Sequence, residues 1–360
     1  MPVPMRELME LAIQENASDV HLKFKNPPIL RIDGVLHRVP GVPPLSDEDL
    51  KYYISQVASP IDIAKFEKVF ELDLSYYFEE KARFRVNVCK DDGHIRIVMR
   101  VIPLRIRTID ELGLPPILKK LCKLKNGLIL FTGPTGSGKS TSLAAMIEEI
   151  NTTRSEHIVT IEDPIEYVHQ DKLSIITQRE VGHDTLSFAN ALRAALRQDP
   201  DVILIGEMRD TETVRTALSS AETGHLVFST LHTVDAVETL NRIIEFFEPH
   251  QHNQIRKQLG SVLRSIISQR ILPLASGKGR CVAAEILIGT RAVRDFIEQG
   301  KPFRDIVALI QEGKDQYGMQ TFDQALYDLW IHKKITAETA LSYATSPKDL
   351  NLKMQGLNAR

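Results

Sequence analysis

The period of the apolar positions changes at about residue 103. Before it, short runs alternate apolar with polar residues. "LDLSYYF" (72–78), "RFRVNVC" (83–89) and "IRIVMRVI" (95–102) predict half-buried strands, and "PPILRIDGVLHRV" (27–39) predicts two more around an Asp33-Gly34 hairpin signal. Ahead of them, Met5, Leu8, Met9, Leu11 and Ala12 recur at mostly helical spacing until "NASD" (16–19) ends the helix. Residues 1–102 therefore predict an α+β domain, a sheet with helices on it. "PLRIRTIDELGLPPIL" then brings three prolines and a glycine, and 103–116 reads as a linker. Beyond it, "GLILFTG", "IVTIED", "DVILIGE", "HLVFSTLH" and "VAAEILIG" alternate with helical segments. That order predicts a largely parallel α/β sheet covered by helices over 117–290. Residues 251–271 read as one amphipathic helix carrying Ile255, Leu259, Val262, Leu263, Ile266 and Ile267 on one side. Helical patterns dominate 291–360, a C-terminal helical subdomain whose polar end, in "SPKDLNLKMQGLNAR", is expected to fray.

Bulk composition narrows the partners. The chain has 360 residues, 43% of them apolar and 26% charged, which fits two globular domains of ordinary size. A net charge of -2 leaves no basic footprint, so nucleic acid is not an expected partner. Cys89, Cys122 and Cys281 are far apart and form no CxxC pair, which argues against a disulfide framework or a structural zinc site and for a reducing compartment. The N-terminus has acids inside its apolar periodicity and no signal-peptide core, and no stretch has the length of a membrane span. A cytoplasmic location follows, with docking on a membrane complex still open.

The chemistry starts at "GPTGSGKST", Gly133, Pro134, Thr135, Gly136, Ser137, Gly138, Lys139, Ser140 and Thr141, between the strand pattern "GLILFT" and the helical "SLAAMIEEI". This is GxxxxGK[ST] in its required strand-to-helix context. The glycines let backbone N–H groups turn toward phosphate oxygens, and the helix N-terminus adds a favourable field. Lys139 is placed to reach the β and γ phosphates of ATP, Ser140 to put its hydroxyl on Mg²⁺, and Thr141 to cap nearby oxygens. An acid at the end of a neighbouring buried strand should complete the metal shell, and "DVILIGE" offers Glu207. "TIEDPIEY" (160–167) adds Glu162, Asp163 and Glu166 after another apolar run.

Four co-linear motifs, "GPTGSGKST", "TIEDPIE", "GEMRD" and "TGHLVFSTLHT", resemble the secretion ATPase superfamily that powers type II secretion and type IV pili. The resemblance runs from "ASDVHL" (17–22) to "YGMQTFDQAL" (317–326). It implies a RecA-like P-loop ATPase domain behind an N-terminal PAS-like domain, assembled as a homo-hexamer with nucleotide between the two domains. It also implies that Glu166 is the catalytic base, Glu207 an atypical Walker B acid, and His225 and His232 the His box. Pro164 agrees with that division, because a turn after Glu162 and Asp163 carries Glu166 beyond the strand. The same resemblance makes Arg85 and Arg100 candidate arginine fingers. It places Arg193 and Arg197, whose spacing of four predicts one helix face, and Arg209 at the nucleotide or subunit interface. The histidines bound an apolar strand at odd separation and so face opposite sides, which excludes a two-histidine metal site on one face.

Within the superfamily, the tetracysteine zinc loop and long N-terminal extension of the extension and type II secretion ATPases are missing. "AVRDFI" (292–297) resembles the AIRNLI signature of the pilus-retraction branch, agreeing at Ala292, Arg294 and Ile297 and departing at Val293, Asp295 and Phe296. The expected function is an ATP-hydrolysing motor for pilus retraction, docked on an inner-membrane pilus platform protein. Pilus assembly, type II secretion, and a non-catalytic nucleotide-dependent regulator are the alternatives.

Overall fold

The computed structural model describes residues 3–32, 34–79, 81–103 and 105–357. The chain divides into two compact units, Met1–Arg105 and Ile106–Arg360.

The first unit runs α1 (Met5–Gln14), β1 (Asp19–Lys23), β2 (Ile29–Ile32), β3 (Val35–Arg38), α2 (Asp47–Val57), α3 (Pro60–Val69), β4 (Glu71–Phe78), β5 (Ala82–Asp91) and β6 (His94–Pro103). Its six strands are ordered β3-β2-β1-β6-β5-β4, with every pair antiparallel. Alternation does what the sequence predicts. Phe84, Val86 and Val88 of β5 and Ile95, Ile97 and Met99 of β6 enter one core with Met5, Leu8, Met9 and Ala12 of α1. Arg85 and Arg100 therefore lie on the opposite face of the sheet. Capping boxes, Ser46 with Asp49 and Ser59 with Asp62, start α2 and α3. Strands β2 and β3 pair as expected, while Asp33 of the hairpin signal lies outside the described residues. Strand β1, which the periodicity does not announce, begins at the last residue of "NASD" and takes the centre of the sheet.

The second unit contains α4 (Ile117–Leu121), β7 (Gly127–Thr132), α5 (Lys139–Thr153), β8 (His157–Glu162), β9 (Ile175–Glu180), α6 (Phe188–Ala195), β10 (Val202–Ile205), α7 (Thr211–Glu222), β11 (Leu226–Leu231), α8 (Ala236–Glu245), α9 (His252–Val262), β12 (Leu263–Pro273) and β13 (Arg280–Ile288). Helices α10 (Arg291–Glu298), α11 (Ile306–Glu312), α12 (Lys314–Tyr317), α13 (Phe322–Ile331), α14 (Ala337–Tyr343) and α15 (Pro347–Met354) follow. The sheet order is β13-β12-β7-β11-β10-β8-β9, parallel throughout except that β13 runs antiparallel on the edge. Strands β7, β10 and β11 are buried along their whole length, as the centre of a sheet covered on both faces requires.

One expectation is corrected. Residues 251–271 are not one helix: α9 ends at Val262 and β12 starts at Leu263. Residues 265–269 are all buried, a pattern for a strand covered on both faces, and β12 gains ladders to β7 and β13 that a helix would forgo. Strand β9, half-buried beside β8 and rich in polar residues, gives no apolar run to read. Of the tail expected to fray, residues 358–360 lie outside the described residues. Pro347–Met354 forms α15 with Leu350 buried, and the Asp323 carboxylate accepts the N–H groups of Thr345 and Ser346 at 2.7 and 2.9 Å. In α10, Val293 and Ile297 are buried and Phe296 packs against the core, so two of the three departures from the AIRNLI pattern sit on the apolar side. The third, Asp295, is exposed.

Candidate active site

Strand β7 delivers the chain to Gly133 at the carboxyl end of the parallel sheet, the usual ligand side of such sheets. Gly133 has φ +139°, and a Cβ there would lie 2.6 Å from the Gln269 carbonyl oxygen. Only glycine fits this approach to β12. Gly136 and Gly138 also take positive φ, at +81° and +88°, before α5 begins at Lys139. Beneath the loop, the Gln269 amide donates to Ser142 Oγ (2.8 Å) and Thr132 donates to Ser268 (2.8 Å), tying α5 and β7 to β12. Gln269 is not legible in the sequence because β12 itself is not.

Lys139 is 8% exposed, and its Nζ donates to the carbonyls of Gly133 (2.7 Å) and Pro134 (3.1 Å). Burial lowers its pKa, and the nearby Glu207 and Glu166 carboxylates oppose that shift in that order. One ammonium and the two predicted acids thus gather at the P-loop although they lie 27 to 68 residues apart in sequence. The Ser137 hydroxyl is buried with no partner among the described residues.

The acids of "TIEDPIEY" separate by environment. Glu162, at the end of β8, takes hydrogen bonds from Thr160 Oγ1 (2.7 Å), Gln178 Nε2 (3.3 Å) and the Glu166 backbone N–H (3.3 Å). Burial pushes its carboxyl up, against those bonds. Asp163 and Glu166 are exposed, on either side of a cis Asp163–Pro164 bond. Glu162 therefore acts as an internal bracket for the loop that presents Glu166. Tyr167 adds a hydroxyl contact to Thr141 at 2.9 Å, closing this loop onto α5. Ser140, Glu162, Tyr167 and His169 line a small cavity of about 40 Å³ between α5 and the ends of β8, β10 and β11.

Glu207 follows β10 and Gly206. One oxygen pairs with Arg209, 2.8 Å from Nε and 2.7 Å from an Nη, and the other lies 3.2 Å from His232 Nε2. Arg209 and His232 are thereby placed at the P-loop cluster through Glu207, on the wall of a cavity of about 560 Å³. The loop from His232 to α8 is held from below. Glu285 of β13, 7% exposed, accepts the Ala236 N–H at 2.9 Å, and burial together with Asp235 pushes its carboxyl up to about 7. A raised acid pKa means the folded state binds the extra proton. Stability should thus rise, by on the order of 3 kcal/mol from this group, as pH falls from about 7 toward the ordinary value of 4.5. Glu285→Gln should flatten that part of the Tm-against-pH curve, and an unchanged slope would count against it.

Other predicted residues fall elsewhere. His225 precedes β11 beside Gly127, with Nδ1 2.9 Å from the Ser220 carbonyl oxygen. The six residues of β11 separate it from the P-loop end, roughly 20 Å at strand rise, so within one chain it does not join the cluster. Arg193, on α6, pairs with Glu212 and donates to Asn190. Arg197 lies past the end of α6 at Ala195, so the two arginines do not share a helix face. Arg85 and Arg100 belong to the first unit, on adjacent positions of β5 and β6.

The model of the family described as Type II/IV secretion system protein matches residues 3–312. The chain belongs to this family. It is similar to the type IV pilus retractation ATPase PilT of Pseudomonas aeruginosa, 43% identical over 343 residues, covering 95% of this chain and 98% of that protein. It is also similar to the type IV pilus ATPase PilU of the same organism, 42% identical over 346 residues, covering 96% and 90%. Among solved structures, the pilus retraction motor PilT with bound ADP superposes with a TM-score of 0.90 at 47% identity, over 97% of this chain and 99% of that one. The protein is a nucleotide-binding P-loop ATPase of this family. Among the described residues no helix is long and apolar enough to cross a membrane, and no cluster of three or more metal-ligating side chains occurs. Mg²⁺ is instead suited to the hard oxygens of Ser140 and Glu207, since that ion commonly takes one or two protein ligands and completes its shell with phosphate and water.

Proposed function

We propose that this ATPase is the motor of type IV pilus retraction. The observation that carries the reading is similarity to the retraction ATPase along 95% of this chain and 98% of that protein. The Lys139, Glu166 and Glu207 constellation supports catalysis over a purely regulatory role.

In this reading Lys139 and the loop amides bind the ATP phosphates, and Ser140 and Glu207 hold Mg²⁺, which neutralises charge on the phosphate oxygens when bound. Glu166 orients and deprotonates the attacking water, on a loop set by Glu162. His232 and Arg209 position Glu207 and report its state to the loop before α8. The motor works as a homo-hexamer docked on an inner-membrane platform protein of the pilus machine. Arg85 and Arg100 act there as arginine fingers, and Arg193, Arg197 and His225 serve subunit contacts.

The similarity to PilU at nearly the same identity favours one second reading, an ATPase of the pilus machine that is not itself the retraction motor. Deleting the gene separates the two. Surface pili should accumulate and twitching should stop, with both restored by the wild-type gene and neither by a Glu166→Gln copy. Unchanged piliation and twitching would favour the second reading, and loss of pili would indicate assembly.

A further inference from the structure

Strand register aligns five side chains in one row across the sheet of the first unit. Arg31 of β2 stands opposite Asp19 of β1, Asp19 opposite Arg100 of β6, Arg100 opposite Arg85 of β5, and Arg85 opposite Ser75 of β4. Three cations share this row with one acid. Arg100 and Arg85 face each other directly, and like charges in that position destabilise a sheet. Asp19 is the compensating charge and is 5% exposed.

Its two oxygens are used differently. Oδ1 accepts Arg100 Nε at 2.9 Å, while Oδ2 accepts Ser18 Oγ at 2.8 Å and lies 3.7 Å from Arg31 Nε. Arg31 spends a terminal nitrogen on the Gly34 carbonyl at 2.9 Å. Arg100 does not. Its bond to Asp19 uses Nε, its side chain is 64% exposed, and its two terminal amino groups have no partner among the described residues. A carboxylate gripping Nε fixes the plane of the guanidinium and leaves the outer fork for a ligand. That outer fork is the part that matches phosphate oxygens.

We infer that Asp19 is a positioning residue for ATP hydrolysis, aiming the Arg100 fork at nucleotide phosphate. The inference rests on the reading of Arg100 as an arginine finger. An arginine held this way acts on charge that develops in the transition state, so its loss lowers kcat with little change in KM.

The test is a double-mutant cycle on the full-length assembled ATPase, reading kcat and KM for Mg-ATP. Arg100→Ala should lower kcat by about tenfold or more, and Asp19→Asn by about fivefold or more, with KM changing less than about twofold. The double variant should be no slower than Arg100→Ala alone, because Asp19 acts only through Arg100. Arg31→Ala, which removes the other arginine beside Asp19, should stay within about twofold of the wild type. If Arg100→Ala leaves kcat unchanged, the finger reading itself fails. If Arg100→Ala is slow but Asp19→Asn is at wild-type rate, or the two losses multiply, the positioning role is overturned. Should Asp19→Asn not fold, Arg100→Lys decides the same question. A lysine has one charged nitrogen, which Asp19 would occupy, so kcat should match that of Arg100→Ala, and wild-type turnover would reject the inference.

Discussion

Glu166→Gln should lower steady-state ATP turnover by about a thousandfold while ATP still binds, the size expected when a positioned general base is removed. The structure explains why the loss should be confined to chemistry. Glu166 is exposed, and the loop that carries it is held by groups the substitution leaves in place. Its own backbone N–H bonds to Glu162, and Tyr167 contacts Thr141. The glutamine keeps the shape and loses only the proton-accepting charge. Single-turnover kinetics beside a binding titration with a fluorescent ATP analogue check both halves. Turnover within a few-fold of wild type would remove Glu166 as the base and shift attention to Glu162, whose carboxyl is raised by burial.

Lys139→Ala should instead act on binding. The Nζ is a buried cation whose present partners are the loop's own carbonyls at 2.7 and 3.1 Å, with Glu207 and Glu166 as nearby countercharges. Exchange of these carbonyls for phosphate oxygens keeps the ammonium paired, and removal of the side chain leaves the phosphates without it. Charge-assisted bonds of this kind contribute about 1.5–3 kcal/mol, so the Kd for ATP should rise roughly ten- to a hundredfold and hydrolysis should be lost. Calorimetric titration measures this directly. An unchanged Kd would contradict the phosphate role. The two variants should therefore differ in kind, one binding ATP without cleaving it and the other failing at binding.

Local signals are enough for some of this. Period-2 alternation over 72–102 predicts three strands, and those strands form, because alternation and one-sided burial are the same fact seen in sequence and in space. "GPTGSGKST" is legible because each glycine answers a backbone demand inside nine consecutive residues. The 251–271 segment misleads because apolar residues on adjacent positions satisfy a buried strand and a helix stripe alike until the neighbours are known. Edge strand β9 escapes notice for the opposite reason, since a half-buried strand offers too few apolar residues to count.

The sequence by itself determined the change of apolar period near residue 103, the phosphate loop with Lys139 and Ser140, and the family to which four ordered motifs point. Those are local or co-linear properties, and the chemistry of a short segment does not depend on what packs against it. Tertiary structure alone decided that, of three neighbouring acids, half-buried Glu162 turns inward as a bracket while Asp163 and Glu166 stay exposed. It also decided that Arg209 and His232 meet on Glu207 and that Asp19 stands between two arginines. Each of these depends on strand register and on the burial of a charge. Both are set by contacts between residues tens of positions apart, which no local window of the chain contains.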